Sequence, residues 1–128
     1  MHVLFSVHVL NAVAAQKKPT LSCRFYASAT GNEPVRVWLK SLPSAVRQEI
    51  GADIGQVQWT WPVGKPLVDG FGAGLFEVRT SLEGNIYRVL FCLDGATMVL
   101  LHGFQKKSQK TPKAEVTLAR RRMKDTEE

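Results

Sequence analysis

Asp94-Gly95 is the feature that most restricts this chain. The pair suits a two-residue hairpin turn, whose central positions favour positive φ. It separates two apolar runs of strand length, Ile86 to Leu93 and Thr97 to Phe104. A third run, Leu75 to Thr80, leads into them through the polar turn at Ser81–Asn85. Three strands with such short connections predict an antiparallel meander. A chain of 128 residues has room for one such sheet with a layer of helices, and not for a second core.

The flanking segments supply that layer. Leu21 to Ala27 alternates as a strand. After the break at Thr30-Gly31-Asn32, Glu33 to Lys40 reads as a short helix, with Asn32 as its N-cap and Pro34 in the first turn. Ser44 to Trp59 carries Val46, Ile50, Ile54 and Val57 at helical spacing. Gly51 and Gly55 in that segment weaken the helix by about 1 kcal/mol each relative to Ala, and would permit close packing between helices. Asp69-Gly70-Phe71-Gly72-Ala73-Gly74 precedes a strand rather than a helix, so it reads as a mobile turn and not as a phosphate cradle. Thr111-Pro112 looks like a cap and first-position proline for a final helix over Lys113 to Lys124, with Val116, Ala119 and Met123 facing inward. The expected class is α+β: two N-terminal helices packed on a twisted antiparallel sheet, then a C-terminal helix.

Residues 1–20 stand apart from this domain of 21–128. Their apolar run, His2 to Ala15, lacks a basic start and is too short to span a bilayer, so it reads as a short extension rather than a secretion signal. Cys23 and Cys92 fall in apolar strand runs without metal-ligand or CxxC spacing, as buried free thiols do. A reducing, cytoplasmic setting is expected, with no membrane partner.

The net charge of +6 is uneven. Between Gln105 and Lys124 stand Lys106, Lys107, Lys110, Lys113, Arg120, Arg121, Arg122 and Lys124, opposed only by Glu115, which leaves +7. A dense positive surface suits a polyanion, because each neutralised phosphate releases counterions. Lys110, Lys113, Arg120 and Arg121 are therefore candidate RNA contacts. A solvated basic helix or a surface for an acidic protein would have the same composition.

Strand alternation sends Phe76 and Val78 to one face and Leu75, Glu77 and Arg79 to the other. Glu77 and Arg79 side by side read as a surface ion pair or, on a concave sheet, as groups facing a substrate. Arg88 follows on the next strand, and His102, Lys106 and Lys107 close the last. His102 taken alone reads more readily as a satisfied structural histidine than as a catalytic one. No metal-ligand spacing, carboxylate cluster or nucleophile motif appears, so neither metal nor cofactor is expected. RNA carries its own nucleophile, the 2′-OH, and arginine and lysine can stabilise the charge that builds on phosphate.

The ordered blocks Gly74-Leu75-Phe76-Glu77-Val78-Arg79, Tyr87-Arg88-Val89-Leu90-Phe91, Leu100 to Lys107 and Gln109-Lys110-Thr111-Pro112 resemble the phage-derived HigB branch of the RelE/ParE toxin superfamily, from about Leu21 to Arg122. The resemblance implies the α+β fold above and ribosome-dependent cleavage of messenger RNA. It implies inhibition by a cognate antitoxin, often a helix-turn-helix, HigA-like protein. By motif position Arg79, Arg88, Lys106 and Lys107 resemble the family's catalytic cations, and His102 is carried over as a proton carrier. Phe91 stands where a tyrosine is common, which removes one possible acid–base group. Two alternatives share the features: a ParE-like toxin that inhibits DNA gyrase, and an RNA-binding protein without catalysis.

Overall fold

In the computed structural model the described residues are 18–107 and 110–127. The extension therefore lies almost wholly outside them. The chain runs β1 (Ser22–Phe25), α1 (Pro34–Ser41), α2 (Ser44–Thr60), β2 (Val68–Gly72), β3 (Leu75–Leu82), β4 (Asn85–Asp94), β5 (Thr97–Lys106) and α3 (Lys113–Thr126). The α+β class holds, and the three-strand meander forms where the hairpin signal puts it.

The arrangement differs from expectation in four places. The sheet has five strands in the order β1-β5-β4-β3-β2, and β1 lies parallel to β5. It is thus not wholly antiparallel, and the two helices follow a strand instead of opening the fold. The α1–α2 hairpin carries the chain from one edge of the sheet to the other, and the meander then returns to meet β1 in the same direction. The glycine-rich segment is a strand, since Val68 to Gly70 pair with Val78 to Phe76 and a register shift follows before Gly72 meets Leu75. Only Ala73 and Gly74 turn the chain, both at positive φ. Neither proposed side-chain cap forms: Glu33 occupies the N-cap of α1 and Pro112 that of α3, with no side-chain cap bond.

Both faces of the sheet are covered. One face packs Val78, Val89, Phe91, Met98 and Leu100 against Val35, Ile50, Ile54 and Val57 of α1 and α2. Phe91 is fully buried there and stacks on Phe76, with Trp61 edge-on to both. Gly103 lies under Trp38 so closely that a Cβ would fall 2.3 Å from the ring. Close approach is required there and not in α2, because a Cβ at Gly51 or Gly55 meets nothing within 4 Å.

The other face is divided. Leu75, Leu90, Cys92, Val99, Leu101 and Phe104 pack with Ala119 of α3, and Val116 and Met123 flank them. Polar bonds seat that helix. Arg122 donates to the Leu101 carbonyl at 2.8 Å, where a register shift in β5 leaves this residue out of the ladder. Tyr26 donates to Asp125 at 2.7 Å. Both cysteines are free, and burial pushes the Cys23 thiol up to about 11 and raises that of Cys92. Among the described residues no helix is long and apolar enough to cross a membrane.

Candidate functional site

Beyond the part of the sheet covered by α3, the same face turns cationic. Arg79 of β3 pairs directly with Arg88 of β4, and Lys106 of β5 faces Ile86, two residues along. Like charges directly opposite on a sheet repel, so this arrangement needs a counter-charge. Glu77 supplies it. Its side chain is fully buried, and Oε1 forms an ion pair with Arg88 Nη1. Its Oε2 accepts a hydrogen bond from Thr111 Oγ1 at 2.6 Å. Glu77 is therefore neither a surface ion pair with Arg79 nor a group open to a substrate. It is the buried anchor of Arg88 and of the segment that carries Lys110.

These groups line a cleft of about 340 Å³ formed by Asp69, Phe71, Arg79, Arg88, Lys106, Lys110 and Thr111. Arg88 is buried, and burial lowers its pKa, with Asp69 acting in the opposite direction. A guanidinium starts so high that it stays charged. Lys106 is also buried, and its amine is lowered by burial first, then by Arg88 and Arg79, against Asp69. The Nε atoms of Arg79 and Arg88 are buried with no hydrogen-bond partner among the described residues. Buried donors of this kind call for an acceptor, and a phosphate oxygen has the right chemistry. Phe71 adds an aromatic surface on which a base can stack.

The fold brings together Arg79, Arg88, Lys106 and Lys110, and separates the other candidates. Lys107 is exposed and does not line the cleft. His102 lies further along the face, stacked on Phe104 and held by Glu115 of α3 at 2.7 Å. Lys113 and Arg121 are exposed on α3, outside the cleft. Arg120 reaches back to the carbonyls of Phe71 and Gly72, at 3.0 and 3.4 Å, and ties α3 to β2. Phe91 points into the opposite core, so the absent tyrosine hydroxyl leaves the cleft unchanged.

Asp69, Phe71 and Thr111 were not legible as site residues. Their motifs stand out in the sequence, but as a turn and a cap, and only the pairing of β2 with β3 and the bond from Thr111 to Glu77 bring them to the arginines. Among the described residues no group of three His, Cys, Asp or Glu side chains could hold a metal ion.

The profile of the phage-derived Gp49-like protein family (DUF891) matches residues 37–124. The chain belongs to this family. Gp49-like proteins are in general RelE/ParE-like toxins, associated with toxin–antitoxin systems and hence with an antitoxin partner. The match runs from α1 through α3 and contains every residue that lines the cleft. Comparison with curated proteins gave no match.

Proposed function

We propose that this Gp49-like chain is a HigB-like toxin that cuts messenger RNA on the ribosome and is silenced by a cognate antitoxin of the helix-turn-helix type. The observation that carries the reading is the convergence of Arg79, Arg88, Lys106 and Lys110 in one cleft, with two buried arginine Nε donors that have no acceptor among the described residues. A gyrase inhibitor needs a binding surface, but gains nothing from a buried lysine whose amine is shifted toward its neutral form.

In this reading the scissile phosphate lies between Arg79 and Arg88. The 2′-OH attacks phosphorus, the bond to the 5′ oxygen breaks, and the products carry a 2′,3′-cyclic phosphate and a 5′-OH. The guanidinium groups stabilise the added negative charge of the transition state. Lys106 accepts the 2′ proton, which its lowered pKa favours. Lys110, at the exposed rim, returns a proton to the 5′ oxygen. Glu77 holds Arg88 in place and touches no substrate. His102, paired with Glu115, keeps α3 on the sheet.

Primer extension on a translated message tests the proposal. New 5′ ends that need both this protein and ribosomes are expected, and a message with a 2′-deoxy nucleotide at the cut position should survive. An intact message together with inhibited gyrase would replace the nuclease reading with the ParE-like one. RNA that binds and stays whole would leave a binding protein without catalysis. The neighbouring small gene product should co-purify with the chain and restore growth.

A further inference from the structure

A second cleft opens where the sheet loses a strand. β2 pairs with β3 only as far as Val68 opposite Val78. Past that point β3 continues from Arg79 to Leu82, and the chain between α2 and β2 runs beside it, joined by the Arg79 N–H donating to the Leu67 carbonyl at 2.9 Å. Here lies a cleft of about 350 Å³, walled by Asp53 and Gln56 of α2, by Val63 to Leu67, and by Arg79 and Ser81. That size is near the lower end of ligand clefts, roughly 300–1,000 Å³.

Arg79 lines both this cleft and the cationic one. In the nuclease reading, a phosphate held by Arg79 would have the edge cleft beside one of its two neighbouring nucleosides. The edge cleft is poor ground for a second phosphate. Its cations beside Arg79 reduce to Lys65, which already pairs with Asp69 at 3.9 Å, and Asp53 opposes them. Its chemistry suits a base. Val63, Pro66 and Leu67 offer apolar surface to a ring, and Gln56 offers an amide NH2 donor group and a carbonyl acceptor. Asp53, half-buried, is purely an acceptor when ionised and gains an O–H donor when protonated. Burial raises its carboxyl pKa, with the Thr80 side chain opposing and Glu49 reinforcing the rise. A donor from a base would offset that cost.

We propose that the edge cleft is a nucleobase subsite for the nucleotide adjoining the phosphate at Arg79, and that Asp53 and Gln56 select a base with an exocyclic amino group over uracil. Adenine, cytosine and guanine each present an amino donor that a carboxylate can accept. Uracil has no exocyclic amino group, and the one donor on its pairing edge, N3–H, is flanked by two carbonyl oxygens that the carboxylate repels. This rests on the nuclease reading for the identity of the polymer, and it adds a determinant of where the polymer is cut.

Two measurements test it on the full chain. The first uses ribosome complexes whose messages carry each of the four bases on either side of the cut. The wild-type protein should disfavour uracil at one of these positions by about tenfold or more, and Asp53→Asn and Gln56→Ala should flatten that preference while still cutting. The second uses a non-cleavable 2′-O-methyl RNA with a photoactivatable thiobase at the same position. The cross-link should map to the peptide spanning Asp53 to Leu67. A message cut with unchanged preference by both variants, with no cross-link there, overturns the subsite and leaves the nuclease reading standing. A cross-link at Asp53 to Leu67 without any cleavage supports the subsite and overturns the nuclease reading. If the RNA is neither cut nor cross-linked, both fall.

Discussion

The two faces of the central sheet come from alternate residues of the same strands, yet they are built on opposite terms. Under α1 and α2, the face around Val78, Val89, Phe91 and Leu100 is apolar and closed. On the other side, α3 closes only the part around Leu90, Val99 and Phe104. The rest holds Arg79, Arg88 and Lys106, in positions where a stable protein would ordinarily place aliphatic side chains. Burying charge is expensive unless it is paired. Glu77 supplies the pairing for Arg88, while the Nε of both arginines has no partner among the described residues. One face is committed to apolar packing, and the other gives up part of its packing to a cluster of charge.

That contrast can be broken most severely at Glu77. Glu77→Ala leaves Arg88 buried beside Arg79 and Lys106 without its counter-charge and frees Thr111. A loss of about 3–5 kcal/mol is expected, read as a lower urea midpoint, with cleavage lost as well. An unchanged midpoint would mean that the pair does not hold the cationic region together.

Lys106→Met separates chemistry from folding. Proton transfer of this kind is worth about 10²–10⁴-fold in rate, so single-turnover cleavage should fall by that order while the protein stays folded. In the wild type the rate should rise with pH as Lys106 loses its proton, at a value below the ordinary 10.5. The sign for stability is the same. The unfolded chain binds this proton more tightly, so stability rises with pH between the lowered folded value and the 10.5 of the unfolded chain. A rate that is flat with pH and survives Lys106→Met removes Lys106 from catalysis.

The apolar face responds to volume instead of charge. Gly103→Ala drives a methyl into Trp38 and should cost about 1–3 kcal/mol of unfolding free energy. The double variant with Trp38→Leu should recover part of it. If Gly103→Ala is neutral alone, the packing of α1 on β5 is looser than the contact implies.

The smallest effect sharpens the comparison from the helix layer. Gly51 is exposed and its Cβ position opens on empty space, so Gly51→Ala should stabilise by up to about 1 kcal/mol and leave cleavage unchanged. A loss of stability would show that α2 needs the glycine for a contact made only in solution.

Local patterns determined much of this protein. The Asp94-Gly95 hairpin, the 3.6-residue spacing of Val46, Ile50, Ile54 and Val57, and the alternation around Arg79 and Arg88 appear in the fold as the sequence predicts, because each depends on neighbours a few residues apart. The gathering of basic residues near the C-terminus was equally visible. Which of them work together was not. Lys106 enters the cleft as the last residue of β5, whereas Lys107 lies past the end of the strand and is exposed. Arg120 is drawn off by the Phe71 and Gly72 carbonyls, and His102 by Glu115, through contacts that exist only once α3 lies on the sheet. The parallel pairing of β1 with β5, the conversion of a glycine-rich segment into β2, and the burial of Glu77 beneath Thr111 were likewise decided by tertiary structure. Each depends on contacts between segments far apart in the chain, which no local pattern records.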